Sequence, residues 1–412
     1  MRFATTSSAP STDATPHIGS GTRLSSIDIF RGLIMIWMAL DHTRDFFTNV
    51  RFEPEDINLT WLGLFFTRWV THFCAPMFFL LAGTAAFLYR NRTGSVGKVS
   101  RFLWTRGIWL VILEWTIIEF AWTFAPWMFG GVIWSLGISM VILAAVVWLP
   151  EWAILTFGLV LVALHDLFDA VQPAQMGSFG GLWVLLHRRG VVPGTNFFVL
   201  FPLIPWVGVM ACGYVLGRVM LKAPAARQRI LLLLGLALTL AFVVLRGLNA
   251  YGNPIAGVAA SSPGEWNPLP AIPMTIVYFL DVEKYPPSLQ FLLMTVGLSL
   301  LWLWCLDRFG HKPFTKKLTD PLLIFGRVPM FFYILHLYAI HLLAIGAAYI
   351  FRQPVNWLWH GTFWMNSIPD NYGHNLSFVY VMWLTAVVML YFPCRWFADL
   401  KQRRKDWWLS YL

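Results

Sequence analysis

The chain has 412 residues, of which 58% are hydrophobic and 12% charged, and its mean hydropathy is +0.63. Soluble domains carry about one-quarter charged residues, so this composition excludes an ordinary soluble protein and predicts the lipid bilayer as the main solvent. The net charge of +10 comes from short clusters beside apolar stretches rather than from one basic soluble face. We therefore predict no nucleic-acid partner.

Apolar stretches of about 20 residues recur along the chain, and each is long enough to cross a hydrocarbon core of about 30 Å as a helix. They predict an all-α, polytopic integral membrane protein with about 10 transmembrane helices (10–11). The predicted spans are 27–47, 69–89, 103–121, 130–149, 152–170, 197–217, 230–249, 288–306, 321–351 and 376–397. The ninth is unusually long, and Pro329 either kinks it or splits it.

Four basic clusters follow the second, sixth, eighth and tenth predicted spans, so alternating spans place all four on one side. The positive-inside rule assigns that side, and both termini, to the cytoplasm. Residues 1–22 are rich in Ser, Thr, Pro and Gly, which predicts a disordered cytoplasmic tail. No cleavable signal peptide is expected, because the first apolar run starts too late and leads into a full span. We predict one transmembrane domain over 23–397 and a basic cytoplasmic tail over 398–412.

The first predicted span holds more ionisable groups than a transmembrane helix normally carries: RLSSIDIFRGLIMIWMALDHTRDFF, residues 23–47. Each such group costs roughly 2.5–3.5 kcal/mol at the bilayer centre, so a partner or a hydrated cavity is implied. At about 100° per residue, the polar groups fall within about one-third of the helix circumference and form a stripe that faces the bundle. The members of this stripe are Asp28, Arg31, Met35, Met38, His42 and Asp45.

Arg31 and His42 lie near opposite ends of the stripe, roughly 16 Å apart at 1.5 Å per residue. This spacing suits a long ligand whose anionic headgroup contacts Arg31 while its reactive end reaches the imidazole, the side chain best suited to proton transfer near neutral pH. Either Asp41 or Asp45 orients the ring. The alternative is that Asp28 and Arg31 pair with each other and His42 anchors the helix at the membrane interface.

A second concentration of polar residues lies within the ninth predicted span, in FGRVPMFFYILHLYAIH. One membrane helix is predicted to carry Arg327, Tyr333, His336 and His341. Because this helix runs outward like the first, Arg327 lies at the depth of Arg31, and His336 approaches the level of His42. Together the two helices predict a tunnel with a cationic inner mouth and a basic outer half. His336 has a functional or a structural role, and for His341 we favour a structural one.

The remaining ionisable residues are weaker candidates. His72 either joins His42 or anchors at the interface. Glu114 and Glu119 are about 140° apart on an α-helix, so we expect them on different faces, with Glu114 paired to an Arg. Surface capping is expected for the group His165, Asp166 and Asp169. The four cysteines lack CxxC spacing, and no metal is predicted.

The sequence resembles bacterial members of the heparan-alpha-glucosaminide N-acetyltransferase-like family, within the wider set of transmembrane acyltransferases. The resemblance rests on five segments: RLSSIDIFRG, THFCAPMFFLLAG, WSLGISM, EKYPPSLQFLLMTVG and FGRVPMFFYILH. The spacing from Arg31 to His42 is also similar to an Arg and His pair in the first helix of membrane acetylases that modify bacterial surface polysaccharides.

This resemblance implies an acetyl-CoA or other acyl-CoA donor that enters from the cytoplasm, and transfer to an amine or hydroxyl of a carbohydrate or glycolipid. It implies a location in the bacterial inner membrane. His42 then acts as general base on the acceptor or as transient acyl carrier. The candidate catalytic residues are His42, Asp41, Asp45, His72 and His336. The candidate residues for binding the acyl-CoA donor are Arg31, Arg327 and Asp28. No oligomeric state is indicated.

One segment departs from the family pattern. In the heparan enzyme the catalytic His lies just ahead of the second helix, in a stretch resembling His-Ser-x-Trp-Asn-Gly-Leu. The corresponding stretch here, NLTWLGLFFTRW, has no His. His42 and His72 are the nearby substitutes, and heparan sulfate is not the expected acceptor.

Two other classes of protein fit the same polar residues. In a transporter or channel, Asp28, Arg31, His42 and His336 form a proton relay or a substrate path, and acyl-CoA is not consumed. In a structural membrane protein, the stripe packs shut with paired charges and leaves no cavity.

Overall fold

A computed structural model of the chain describes residues 25–411 apart from residues 126, 254–263, 311, 361–367 and 405. The predicted tail over 1–22 therefore lies outside the described residues. The predicted domain boundaries at 23, 397 and 398 stay predictions; the last long helix continues to Arg403.

Helices dominate the described chain. In order they are α1 (Ser25–Phe47), α2 (Leu62–Trp69), α3 (Cys74–Thr93), α4 (Val96–Leu113), α5 (Glu119–Thr123), α6 (Val132–Val146), α7 (Glu151–Leu164), α8 (Gly180–Leu186), α9 (Leu203–Met220), α10 (Pro224–Gly247), α11 (Ile272–Leu280), α12 (Leu289–Phe309), α13 (Pro313–Arg327), α14 (Pro329–Ile350), α15 (Asn356–His360) and α16 (Leu376–Arg403). A 3₁₀ turn (Val70–Phe73) joins α2 to α3, and a π turn (Glu114–Ile118) joins α4 to α5.

Within the described residues, seven helices are long and apolar enough to cross a membrane. They are Leu62–Thr93, Glu151–Phe168, Leu203–Met220, Pro224–Gly247, Leu289–Phe309, Pro329–Ile350 and Leu376–Arg403. The other three predicted spans also coincide with helices: the highly charged α1, the α4–α5 helix and the shorter apolar α6. The all-α polytopic class is confirmed, and the number ten stays a prediction.

The predicted ninth span is split. Val328, at the break between α13 and α14, has φ −131° and ψ 49°, outside the helical region. The ring of Pro329 disfavours the helical conformation at the residue before it, and Pro329 itself starts α14 because a first helical position needs no N–H donor. The expectation that one helix carries both Arg327 and His336 is therefore wrong: Arg327 ends α13 and His336 lies on α14.

Two glycines allow α1 and α13 to touch through their backbones. A Cβ atom on Gly32 would overlap the carbonyl of Leu322, and one on Gly326 would overlap the carbonyl of Asp28. Only glycine permits so close an approach at both positions. The contact fixes α13 along the first half of α1, which also packs against α3, α12, α14 and α16.

Polar contacts tie several helix ends together at one end of the bundle. Arg227 at the start of α10 binds Asp307 at the end of α12, with Nη2 2.9 Å from Oδ1. Ser26 at the start of α1 donates to the same carboxylate at 3.1 Å. Arg218 at the end of α9 pairs with Glu151 at the start of α7. We call this the basic end, and the opposite one the cavity end.

A small sheet lies at the cavity end. It contains β1 (Phe129–Gly130), β2 (Gly190–Val191) and β3 (Phe198–Val199), in the order β1-β3-β2. Strand β1 is parallel to β3, and β2 is antiparallel to it. The sheet joins the loop before α6 to the loop before α9, and so closes one wall of the cavity described next.

Candidate active site

A cavity of about 340 Å³ opens at the cavity end of the bundle. Its walls come from the second half of α1, the following segment 48–55, α2 and α3, the π turn with α5, and the segment 281–285. The residues singled out from the sequence that line the cavity are Met38, Asp41, His42, Asp45, Glu114, Glu119 and Tyr333. The other predicted candidates, Asp28, Arg31, His72, Arg327 and His336, do not.

His42 is held at the cavity wall by three neighbours. Its Nδ1 lies 3.5 Å from Oδ2 of Asp45, one helical turn further along α1. The ring meets the edge of Trp122 at 4.7 Å between centroids and lies 5.3 Å from the ring of His336. The side chain is 17% exposed, which leaves the imidazole accessible from the cavity.

His336 lies behind His42 and is fully buried. Its Nδ1 is 3.2 Å from the carbonyl oxygen of Phe332, which can only accept, so we assign the ring proton to Nδ1. Its Nε2 has no hydrogen-bond partner among the described residues. The structure thus brings the ring of His336 beside His42, while His341 on the same helix contacts the carbonyls of Ala121 and Leu358.

A chain of alternating charges connects His42 to His72. From Asp45 it passes through Arg44 (2.6 Å) to Asp41 (3.1 Å), then through Arg68 (2.6 Å) to Glu55 (2.8 Å), and ends at Nε2 of His72 (3.2 Å). Each guanidinium bridges two carboxylates, a geometry that suits the planar fork of arginine. Of the two Asp residues expected to orient His42, Asp45 contacts the ring, whereas Asp41 is bound to the two arginines.

Glu55 lies in the segment after α1 and is held ionised by this chain. Burial by itself raises the pKa of its carboxyl, but Arg68, His72 and Arg44 more than offset that, so the pKa stays well below its usual range. His72 thus lies at the end of the charge chain, behind the cavity wall, and not beside His42.

Two glutamates meet at the cavity through the π turn. The N–H of Glu119 bonds to the carbonyl of Glu114, five residues earlier, so the helix is locally wider than an α-helix. Residues five apart then return to nearly the same side, and both carboxyls line the cavity. The expectation of different faces was wrong because it assumed an α-helical period.

Glu114 also caps a helix. Its carboxyl lies beside the backbone N–H groups of Gly131 and Trp134 at the start of α6, where Gly131 offers no capping side chain. A Cβ at Gly131 would overlap Oε1 of Glu114. The expected Glu114–Arg pair is therefore absent among the described residues, and backbone donors replace it.

The cavity lining carries twice as many carboxyls as cations. The acidic residues are Asp41, Asp45, Glu53, Glu55, Glu114, Glu119, Asp281 and Glu283, and the basic ones are Arg44, Arg68, Arg189 and Lys284. Burial, reinforced by the charge of Glu55, raises the pKa of Asp281 well above its usual range. Even with Asp281 neutral, the carboxyls outnumber the cations in the lining, so the cavity favours neutral or cationic groups over polyanions.

The predicted donor residues lie toward the basic end. Arg31 donates to Asp28 at 3.1 Å and to the carbonyl of Gly326 at 3.2 Å, which places it beside the backbone of Arg327. Met35, between Arg31 and the cavity, is packed in the core. The predicted continuous tunnel is therefore not open among the described residues: the cationic and imidazole-bearing halves are separated by packed side chains.

The sequence pattern did not indicate several residues of the cavity, chiefly Arg68, Glu55 and Lys284. Arg68 and Lys284 are both buried. A signal existed for Arg68, since an arginine inside an apolar stretch requires a partner. Its partners come from α1 and from an irregular segment, and no sequence period relates them.

Comparison with known families adds an independent result. The sequence model of the family described as heparan-alpha-glucosaminide N-acetyltransferase, catalytic, matches residues 23–250, more than half of the 412 residues. That range includes His42, the charge chain and both cavity glutamates, and it excludes Arg327 and His336. No curated protein matches the chain. The chain belongs to the heparan-alpha-glucosaminide N-acetyltransferase family, a family of membrane acetyltransferases.

Proposed function

We propose that the protein transfers an acetyl or other acyl group from acyl-CoA to an amine or hydroxyl of a carbohydrate-type acceptor, at or beyond the membrane. The observation that carries this proposal is His42: an accessible imidazole, contacted by a carboxylate, at the wall of a charged cavity inside the family match. The protein is an integral membrane protein, and we propose that it lies in a bacterial inner membrane with both termini cytoplasmic.

The contact with Asp45 suggests how His42 reacts. A carboxylate beside Nδ1 favours the tautomer with its proton on that nitrogen, which leaves Nε2 as the basic atom. This atom either removes the proton of the acceptor's nucleophile or attacks the acyl carbon itself and carries the acyl group. His336 and Trp122 restrict the ring's orientation in both cases.

We place the anionic part of the donor at the basic end, on Arg31 and Arg327, with Asp28 holding Arg31 in position. Coenzyme A carries several phosphate charges, and the excess of carboxyls in the cavity would repel them. The acyl arm would then run along α1 past Met35 and Met38. Both side chains are unbranched and repack at low cost, which is compatible with a path that opens when the donor binds.

The acceptor would enter the cavity from the opposite end. Trp122, Trp127 and Tyr285 line it and offer aromatic faces, while the surrounding carboxylates accept hydrogen bonds from hydroxyl or ammonium groups. These features suit a carbohydrate or a glycolipid headgroup.

Sealed vesicles test this arrangement. The purified protein is reconstituted, acetyl-CoA is supplied on the side of the basic end, and glucosamine, as a probe acceptor, on the other. We expect acetylglucosamine to form with consumption of acetyl-CoA, and Arg31→Ala to raise the KM for acetyl-CoA with little change in kcat. Movement of either compound across the membrane with acetyl-CoA left intact would contradict the proposal and favour a transporter that uses the Asp28, Arg31 and His42 stripe as its path.

A further inference from the structure

Glu114 and Glu119 form a buried carboxyl pair, and neither has a role in the reaction proposed above. They are 2% and 3% exposed, both line the cavity, and their charges interact. Among the described residues neither carboxyl forms an ion pair. Two carboxylates that share a buried site without a cation cannot both be ionised at low cost, so such a pair holds a proton near neutral pH.

The surroundings decide which of the two holds the proton. The carboxyl of Glu114 lies against the backbone N–H groups of Gly131 and Trp134 at the positive N-terminal end of α6, a position that favours a negative charge. Its Oε2 has no partner among the described residues and remains able to accept a further hydrogen bond. No donor to the carboxyl of Glu119 occurs among the described contacts. From these surroundings we assign the shared proton of the pair to Glu119.

Other titratable groups near this pair do not change that assignment. Helix α5 packs against the π turn, α14 and α15. The titratable side chains that face it among the described residues are Glu114, Tyr333 and His341, with His42 across Trp122. Tyr333 is neutral at ordinary pH, and both nitrogens of His341 are turned to backbone carbonyls. Glu114 is the only carboxylate in this set.

We propose that Glu119 is kept as a neutral carboxylic acid and donates a hydrogen bond to the carbonyl oxygen of the acyl group during transfer, with Glu114 as the residue that keeps it protonated. This role rests on the proposed acyltransferase function. Trp122, one turn after Glu119 on the same helix, contacts the ring of His42 at 4.7 Å between centroids. The proposed donor and the proposed reactive imidazole thus occupy neighbouring walls of one cavity.

The chemical step needs no proton from this pair. The attacking group is either the acceptor's amine or hydroxyl, whose proton passes to Nε2 of His42, or Nε2 itself. As the bond to the thioester carbon forms, the carbonyl electron pair moves to oxygen, and the O–H of Glu119 stabilises the developing negative charge. The adduct then collapses, the carbonyl bond re-forms, the carbon–sulfur bond breaks and the thiolate of coenzyme A leaves. The proton remains on Glu119 throughout, as expected for a preorganised donor in a site of low polarity.

Three variants separate this role from a structural one, with acetyl-CoA as donor and glucosamine as probe acceptor. Glu119→Leu should lower kcat by about 10²–10³-fold, the loss typical of one missing donor to an oxyanion. Glu119→Gln keeps an N–H donor and should keep most of the activity. In wild type, kcat should fall at high pH as Glu119 ionises; this fall should disappear in Glu119→Gln and move to lower pH in Glu114→Gln.

A spectroscopic measurement gives a result that does not depend on turnover. Infrared difference spectra of wild type and Glu119→Gln should differ at neutral pH by the carbonyl stretch of one protonated carboxylic acid. Absence of that band overturns the proposal. The proposal is also overturned if wild type is active and the fall of its kcat at high pH persists in Glu119→Gln. Full activity of Glu119→Leu would overturn it as well. A wild type that does not consume acetyl-CoA at any pH refutes the proposed function itself, and the donor role with it.

Discussion

Arg68 joins two acidic residues from different parts of the chain, and we predict that Arg68→Leu is strongly destabilising. Its Nη1 lies 2.6 Å from Asp41 on α1, and its Nε lies 2.8 Å from Glu55 in the segment that follows. The Arg68 side chain is only 10% exposed. Removing one member of a buried ion pair leaves an uncompensated charge, which costs about 3–5 kcal/mol.

The matched control is Arg218→Leu. Arg218 also pairs with a glutamate, Glu151, at 3.0 Å, but its side chain is 68% exposed. Exposed pairs contribute about 0–1 kcal/mol, so this variant should unfold close to wild type. Chemical unfolding of reconstituted protein, followed by tryptophan fluorescence, measures both. Equal losses in the two variants would refute the claim that the buried charge chain holds the cavity wall.

The free energy of unfolding of wild type and of Arg68→Leu should depend on pH in different ways. Because the pKa of Glu55 is held below its usual range, its ionised form stabilises the fold at neutral pH, and this contribution is lost only as the pH falls below about 4.3. Without Arg68, burial dominates and the pKa of Glu55 should rise. The stability difference between wild type and Arg68→Leu should therefore narrow between about pH 7 and pH 4, and adding Glu55→Gln to the variant should recover part of the loss.

Two further changes test the packing and the loop that lines the cavity. Gly326→Ala should separate α13 from α1, because its Cβ would overlap the carbonyl of Asp28, and should lower both the unfolding free energy and the affinity for acetyl-CoA. The control is Gly346→Ala on α14, where an added Cβ would meet no neighbouring element within 4 Å among the described residues; it should be neutral or stabilising by up to about 1 kcal/mol. Asp281→Asn should stabilise the protein more at pH 8 than at pH 5, because a carboxyl whose pKa is raised by burial costs stability as the pH rises above its ordinary value. A stabilisation independent of pH would show that Asp281 is not the titrating group.

Features set by composition and helical period could be predicted from the sequence. The all-α membrane class follows from the apolar stretches, and the stripe on α1 follows from a regular 3.6-residue period. Asp28, Met35 and Met38 are indeed buried. Pro329 marked the break in the ninth span, although the sequence left open whether the helix kinks or splits there.

Features that depend on local departures from that period could not be predicted. The π turn brings Glu114 and Glu119 together, and nothing in a single sequence marks one extra residue in a helical turn. Because the helix is split at Val328, Arg327 and His336 lie on different helices. The number of residues between them therefore does not give the distance between them. Arg68 and Glu55 meet across an irregular segment, where sequence spacing carries no geometric information.

Release of coenzyme A from labelled acetyl-CoA shows whether His42 is the reactive group of the cavity, when purified wild type is compared with His42→Ala and, as control, His374→Ala. His374 packs against Phe351 and Phe378 and does not line the cavity. We expect wild type and His374→Ala to consume acetyl-CoA at similar rates and His42→Ala to lose that activity while remaining folded and able to bind the donor. Undiminished consumption by His42→Ala would contradict the assignment of His42 as the reactive group of this cavity.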